Sequence, residues 1–242
     1  MYHRFGESKY PSTNIGVKEF KKHLEMIEKE GIKFIDPRNF EAELKNVNER
    51  KILITIDDGF ASFYENAWPI LREKQIPFIL FVSTREVGKF NYMNWSQIKE
   101  IDDSKIGLIG NHSHTHEYLI DLTPLEIKQD LAQSMDIFKT KLGSNSIFFS
   151  YPFGEYSLKF KEIVKDLNFK YAFGQHSGVI DSSKDLYELP RFPINEKYGK
   201  LDRFSTLLRT LPFKYEYIEP QEKYIFENQN PPKNQRSPDP AL

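Results

Sequence analysis

The stretch that decides the fold is Lys51 to Phe60, KILITIDDGF, which joins an apolar run directly to two carboxylates and a glycine. Four of its first six residues are Ile or Leu, and Thr55 is β-branched, which predicts a strand buried on both faces. A carboxylate at the end of such a strand needs a cation or hydrogen bonds to offset its desolvation, and here Asp57 and Asp58 follow one another. The alternative is a strand that ends in an ordinary polar Asp-Gly turn. The stretch alone leaves both open.

Segments that predict helices and strands alternate along the rest of the chain. The predicted strands are 32–35, 51–56, 78–82, 106–110, 147–151 and 170–173, and the predicted helices are 17–31, 61–74, 93–101, 123–142 and 158–167. Such alternation predicts an α/β fold with a mostly parallel sheet, and the number of units favours a barrel or distorted barrel over a small open sheet. Functional groups in these folds cluster at the C-terminal ends of the strands. Asp57, Asp58, His112 and the segment Ser150 to Gly154, SYPFG, lie at such positions.

Composition limits the classes of function. The 242 residues, 39% of them hydrophobic and 14% aromatic, can bury one large core. A net charge of -1 gives no electrostatic reason to expect nucleic acid or a membrane surface as partner. Because the chain has no cysteine, disulfides and thiolate metal sites are excluded, and any metal must be held by histidines and carboxylates.

The end of the sequence differs in character from the rest. Five of the fourteen prolines lie between Pro220 and Pro240, mixed with Asn, Gln and charged residues. We therefore predict a domain over residues 1–218 and an extended or disordered tail over 219–242. No apolar run approaches the roughly 18 to 20 residues of a membrane span, and MYHRFGESKY has no signal-peptide core. Met1 leads almost directly into a predicted strand, so an upstream signal or anchor could be missing, and the compartment stays open.

A histidine cluster supplies the second chemical signal. Three of the six histidines are His112, His114 and His116. His112 and His116 can converge on one cation whether the segment is extended or helical, whereas His114 is as apt to face away and bond the backbone as to bind metal. The alternative is a solvated or helix-capping cluster.

A carboxylate from another strand would complete a metal site. Two nitrogens and one oxygen suit zinc, and also cobalt, nickel or iron, while positions remain open for water and substrate. Asp57 or Asp58 is the natural third ligand. The other carboxylate would then be free to take a proton from a water activated by the metal.

TIDDG followed by HSHTH resembles the polysaccharide deacetylases, the NodB-homology domain of carbohydrate esterase family 4. The resemblance covers the chain up to about residue 215. It implies a distorted (β/α) barrel that removes N-acetyl, or sometimes O-acetyl, groups from sugar polymers. It also implies that Asp57 is the general base and that Asp58, His112 and His116 hold the metal.

The segment Ser150 to Gly154, SYPFG, resembles the third motif of that family, R-x-P-Y-G. In the family the backbone N–H after the proline helps to hold the oxyanion, which implies that role for the Phe153 N–H. The resemblance has two departures: Ser150 stands where the family has an arginine that orients the base, and no histidine follows His176 to supply the late general acid.

The N-terminal MYHRF resembles the opening of the poly-β-1,6-N-acetylglucosamine deacetylases, a branch with permuted motif order and the acid histidine on the first strand. This implies His3 as the general acid. The alternatives are that His3 is a packed strand histidine bonded to the backbone, and that His176 is the acid. Arg191 in LPRFP could replace the missing arginine beside Asp57, or could be a surface arginine in a proline-rich loop.

The remaining assignments concern the pocket and the helices. Trp95 in MNWSQI resembles a tryptophan that lines the pocket in the same branch, and it joins a predicted substrate-binding set of Trp95, Tyr151, Pro152 and Arg191. His23 lies among charged residues of a predicted helix, which predicts a surface position.

Together these features predict metal-dependent removal of acetyl groups from an N-acetylated glycan, with Zn²⁺ first among the metals. Two alternatives remain: a hydrolase of a non-sugar amide or cyclic imide on the same scaffold, and a non-catalytic carbohydrate-binding relative. The resemblance implies the periplasm or cell envelope if a segment precedes Met1.

Overall fold

A five-stranded parallel sheet forms the centre of the structure, a computed structural model that describes residues 1–46, 49–181 and 183–210. Its strands lie in sequence order: Ile54–Ile56 (β5), Phe78–Val82 (β6), Gly107–Asn111 (β7), Phe148–Ser150 (β8) and Tyr171–Phe173 (β9). The sheet confirms the predicted α/β class. The predicted tail at 219–242 lies outside the described residues.

Helices cover the sheet and return the chain between parallel strands. They are Val17–Lys29 (α1), Phe40–Lys45 (α2), Trp68–Glu73 (α3), Trp95–Asp103 (α4), Pro124–Leu142 (α5), Leu158–Asp166 (α6) and Leu201–Thr210 (α7). All five residues of β6 are fully buried, as expected for a central strand covered on both faces. No helix in the described ranges is long and apolar enough to cross a membrane.

Four short strands precede the sheet. Arg4–Phe5 (β1) pairs in parallel with Asn14–Ile15 (β2), and Lys33–Phe34 (β3) pairs in parallel with Lys51–Ile52 (β4). The predicted strand 51–56 is therefore two strands, because β4 pairs with β3 whereas β5 pairs with β6.

Backbone hydrogen bonds bring the two edges of the central sheet together. On one edge, Tyr2 forms a parallel bridge with Ile56 of β5, and on the other, Leu189 forms a parallel bridge with Phe173 of β9. The Ile194 N–H then donates to the Met1 carbonyl at 2.9 Å, which joins the two added segments. The sheet is thus curved into an open, distorted barrel, as predicted.

The helix predicted over 61–74 contains a break. A π-helical turn, Phe63–Ala67, precedes α3, in which Pro69 occupies one of the first two positions. Proline has no N–H to donate to the preceding turn, and a π-turn is one way in which a helix accommodates that loss. A capping box begins α5, with Thr123 and Glu126 each bonding the other's backbone.

The surface position predicted for His23 is wrong. His23 is fully buried, its ring lies stacked on Phe204 of α7 at 3.9 Å, and its Nε2 lies 2.6 Å from the Gly199 carbonyl oxygen. Because a carbonyl only accepts, Nε2 carries the proton, and Nδ1 accepts from the Tyr2 hydroxyl at 3.1 Å. A helix from a distant part of the chain covers this histidine, which its charged neighbours in sequence could not indicate.

Stability is expected to fall as the pH drops below the ordinary pKa of histidine. Burial lowers the pKa of His23 to about 4, although the Gly199 hydrogen bond opposes this shift. The unfolded chain therefore takes up a proton at a pH where the folded chain does not. The contribution of neutral His23 to stability is complete above about pH 6.5 and is lost as the pH falls to about 4. We expect His23 to account for about 3 kcal/mol of this loss.

Urea unfolding at pH 7 and pH 4 measures the effect. The matched variant is His23→Gln, whose amide can offer a donor and an acceptor in place of the two ring nitrogens but does not titrate. The difference in unfolding free energy between the two pH values should be smaller in the variant. An equal difference in both proteins would contradict the assignment.

Candidate active site

The two neighbouring aspartates lie where β5 ends. Asp58 and Gly59 both have left-handed backbone angles, with φ of 74° and 77°. In a regular strand Asp57 and Asp58 would face opposite sides of the sheet. Because the chain leaves the pleat directly after Asp57, both carboxylates reach the same side. The bend therefore begins at Asp58 and continues through Gly59.

Asp58 lies against two histidines from the loop after β7. Its Oδ1 is 3.3 Å from Nε2 of His112 and 3.1 Å from Nε2 of His116. One ligand atom from each of the three residues lies within 4.8 Å of the others. Burial opposes ionisation of Asp58, but the charge of the neighbouring His116 holds its pKa well below the ordinary value, so the carboxylate is charged.

These three residues fit a divalent cation. Nδ1 of His112 lies 2.7 Å from the Ser150 carbonyl oxygen, so Nδ1 carries the proton and Nε2 of the neutral ring presents a lone pair. That lone pair faces Asp58 Oδ1, a buried atom with no hydrogen-bond partner among the described residues. Two acceptors facing one another are stabilised by a cation between them, and two nitrogens and one oxygen leave positions open for water and substrate.

Hydrogen bonds to two side-chain acceptors fix the loop that carries the histidines. The buried Asp130 of α5 accepts from the N–H groups of His114 and Thr115 at 2.8 and 3.0 Å, and the Ser113 hydroxyl oxygen accepts from the His116 N–H at 3.0 Å. The His114 ring turns away from Asp58 and bonds the Thr84 hydroxyl through Nδ1 at 2.8 Å. His114 is therefore not part of the Asp58 group.

Asp57 is held by an arginine from the other edge of the barrel. Arg191 donates to both Asp57 oxygens, at 2.8 and 2.9 Å, and also to the Ser150 hydroxyl at 2.9 Å. Ser150 in turn donates to Asp57 Oδ2 at 3.2 Å. Burial raises the pKa of Asp57, but the positive charge of Arg191 outweighs it, and the pKa lies below the ordinary value.

The placement of Arg191 decides between its two interpretations. It is buried, and its remaining hydrogen bonds run to the Gly174 carbonyl at 2.8 Å and the Thr55 hydroxyl at 3.3 Å. It is therefore an interior residue paired with Asp57 and is not a surface residue. Its inclusion in the substrate-binding set is wrong, because its donors are directed at protein acceptors.

His3 lies beside the two aspartates. The N–H of Tyr2 donates to the Thr55 carbonyl and the Tyr2 carbonyl accepts from Asp57, both at 2.9 Å, which aligns His3 with the end of β5. Burial lowers the pKa of His3, whereas the charges of Asp58 and Asp57 act in the opposite direction. A lowered pKa makes a protonated imidazole a stronger proton donor.

His176 lies after β9, where its carbonyl accepts from the Arg191 N–H at 2.9 Å. Its pKa is lowered by burial, with smaller effects of Glu188, Arg191 and Lys184. Of the two candidates for the acid, His3 is the one that interacts with both aspartates.

The SYPFG turn brings Phe153 to the metal group. The Phe153 ring lies 4.8 Å from the ring of His116, and its N–H has no acceptor among the described residues. Pro152 is buried in the turn. The prediction that Tyr151 contacts substrate is wrong for its side chain, which is fully buried and donates to the Tyr187 carbonyl at 2.9 Å.

Trp95 opens α4 and is half-buried. Its ring packs edge-on against Phe138 of α5, with centroids 6.3 Å apart. This contact places one side of the ring against the core, and a part in the substrate pocket stays a prediction.

Two residues of the site were not predicted from the sequence. In the sequence Ser150 is only a departure from the family's arginine, yet its hydroxyl bonds both Asp57 and Arg191. For Asp130 the sequence does contain an indication. This residue shares the buried face of α5 with Ile127 and Ser134, where an acidic side chain needs a partner.

Comparison with known proteins identifies the family of the chain. A family model for polysaccharide deacetylase matches residues 44–172, more than half of the chain. The poly-β-1,6-N-acetyl-D-glucosamine N-deacetylase of Staphylococcus epidermidis is 23% identical over 219 residues, which cover 84% of this chain and 74% of that protein.

Two solved structures have the same fold. IcaB from Ammonifex degensii is 26% identical with a TM-score of 0.76, over 86% of this chain and 94% of its own. The Streptococcus pyogenes deacetylase PplD, in complex with acetate, is 24% identical with a TM-score of 0.77, over 87% and 95%. The chain therefore belongs to the polysaccharide deacetylase family, and its curved parallel sheet is the fold of these structures.

Proposed function

We propose that this protein is a metal-dependent hydrolase that removes acetyl groups from N-acetylated sugars of a glycan. The observation that carries the proposal is that two adjacent carboxylates have different partners. Asp57 is charged and held by Arg191, while Asp58 faces the lone pair of His112 and the ring of His116. This difference supports Asp57 as the base beside a group of residues suited to a metal.

Asp58, His112 and His116 would hold the metal, with Zn²⁺ proposed first and Co²⁺, Ni²⁺ or Fe²⁺ as others. When bound, a divalent cation at this position polarises the acetyl carbonyl and lowers the pKa of water. Asp57 takes a proton from the attacking water, and Arg191 keeps this carboxylate ionised and oriented.

The other residues act on the oxygen and on the leaving group. As the water oxygen bonds to the acetyl carbon, the Phe153 N–H donates to the carbonyl oxygen, which gains charge. When the C–N bond breaks, His3 gives its proton to the departing nitrogen. The products are acetate and a free amino sugar.

The substrate class is proposed from the relatives. The staphylococcal proteins to which the chain is similar are named as deacetylases of poly-β-1,6-N-acetyl-D-glucosamine, and we extend the N-acetylated sugar to this chain. The glycan linkage and length are left to the experiment.

Acetate release tests the function. We expect the protein to release acetate from poly-N-acetylglucosamine or chitin oligomers. This release should stop after treatment with a chelator and recover when Zn²⁺ or Co²⁺ is added. Protein purified without nickel affinity resin should contain a divalent metal. Acetate release that a chelator does not affect would contradict the proposed dependence on a metal. No acetate from any glycan, together with hydrolysis of a cyclic imide, would favour the alternative substrate class.

Replacing His3 with alanine is expected to lower the rate of acetate release by about 100-fold or more, since general acids typically contribute that much. The comparison variant is His176→Ala, which removes the other histidine proposed for this role and should keep most of the activity. A loss of less than about tenfold in His3→Ala would point to another acid, as would a larger loss in His176→Ala.

A further inference from the structure

Phe153 has an unusual backbone conformation for its residue type. Its φ is 58° and its ψ is 5°, in the left-handed region, and Gly154 after it also has a positive φ of 71°. Glycine adopts this region readily, but a large side chain does so only when its surroundings hold it there. Strained residues of this kind cluster at active sites, where the strain fixes a group in a required orientation.

Two aromatic rings hold the Phe153 side chain. The Tyr118 ring lies face to face with it, with centroids 4.0 Å apart and planes inclined by 8°, and the His116 ring lies against it at 4.8 Å. Tyr118 is itself anchored, because it begins a short 3₁₀ turn, Leu119–Asp121, whose Leu119 is buried. The stack therefore ties Phe153 to the loop that carries His116.

Hydrogen bonds on both sides of Phe153 close the turn and leave its own N–H unused. The Gly154 N–H donates to the Tyr151 carbonyl at 2.8 Å, and the Glu155 N–H donates to the Pro152 carbonyl at 3.2 Å. No hydrogen bond from the Phe153 N–H to a backbone acceptor is found among the described residues. The φ of Phe153 sets the direction of this N–H relative to the Phe153 ring, so contacts that fix both the ring and φ also fix where the N–H points.

We infer that Tyr118 is a positioning residue for deacetylation: its ring holds Phe153 in the left-handed conformation and so keeps the Phe153 N–H aimed at the acetyl oxygen. This rests on the proposed function for the role of that N–H. Without the face-to-face contact, Phe153 relaxes toward the conformations that its side chain prefers, and the N–H turns away from the reacting oxygen.

Kinetics of Tyr118→Leu and Tyr118→Phe test the inference. Tyr118→Leu should lower kcat for acetate release by about 10- to 100-fold, which is part of the roughly 100-fold or larger effect of losing an oxyanion donor. Its KM for the glycan and its affinity for Zn²⁺ should stay within about threefold of wild type, because an interaction made only in the transition state affects kcat. Tyr118→Phe keeps the ring and should retain most of kcat.

Three results would overturn the inference. Equal losses in Tyr118→Phe and Tyr118→Leu would assign the effect to the hydroxyl. A fall in Zn²⁺ affinity as large as the fall in kcat would mean that Tyr118 acts through His116. A kcat for Tyr118→Leu close to wild type would mean that the stack has no role.

Crystal structures of the two variants decide the structural part without any assay. Phe153 should keep a positive φ in Tyr118→Phe and lose it in Tyr118→Leu, and a positive φ in both would overturn the inference. Should the wild type release no acetate from any glycan, the proposed function fails, whereas these φ values still test whether Tyr118 sets the conformation of Phe153.

Discussion

Asp57→Asn is expected to stop acetate release while the metal stays bound. Asparagine has nearly the same shape and can still accept from Arg191, but it does not take a proton from water. Loss of a general base typically costs about 10²- to 10⁴-fold in rate, and we expect kcat to fall by that amount. Metal content by elemental analysis should be unchanged, because Asp58, His112 and His116 are intact.

A control is needed because Asp57 and Arg191 form a buried ion pair. Neutralising one partner leaves the other charge buried and unpaired, which can cost several kcal/mol of stability. Adding Arg191→Met to Asp57→Asn removes the unpaired charge, so stability should recover in the double variant while activity does not. Near-normal activity in folded Asp57→Asn would remove Asp57 from the mechanism.

His112→Asn is expected to lower metal affinity by more than about 100-fold and to abolish activity with it, because residues that only support a metal ligand already contribute 10- to 100-fold. The asparagine amide can replace Nδ1 of His112 as donor to the Ser150 carbonyl, so the fold loses little, whereas nothing replaces Nε2. Titration of metal-free protein with Zn²⁺ measures the change in affinity.

His114→Ala is the matched control for this variant. His114 lies two residues away in the same loop, but its ring bonds Thr84 and lies outside the group of ligand atoms. It should bind Zn²⁺ with an affinity close to that of wild type. If His114→Ala and His112→Asn lost affinity equally, the whole cluster would act only by maintaining the loop, and the assignment of ligands would be wrong.

The parts of the site that the sequence predicted are those encoded over short distances. A β-branched apolar run predicts a buried strand, the Asp-Asp-Gly that follows predicts a bend, and the four-residue spacing of His112 and His116 lets both approach one cation. Thr123 and Glu126 likewise cap α5 through bonds within one turn. Each of these patterns depends on residues that are close in sequence.

The parts that the sequence left open depend on distant contacts. Arg191 had two interpretations, and only its ion pair with Asp57, across 134 residues, separates them. The surface position predicted for His23 is wrong because the residues that cover it, Gly199 and Phe204, come from the far end of the described chain. The division of 51–56 into β4 and β5 follows from which neighbour each half pairs with, and that choice is not visible in the run of isoleucines.

The seam at which Met1 meets Phe192 and Ile194 has a consequence for the order of folding. Phe192 follows Met1 by 191 positions, and contacts between residues so far apart in sequence form late because closing the long intervening loop costs entropy. Arg191 lies directly beside this seam. We therefore expect the ion pair between Asp57 and Arg191 to form together with closure of the barrel, after the local pairings of the central sheet.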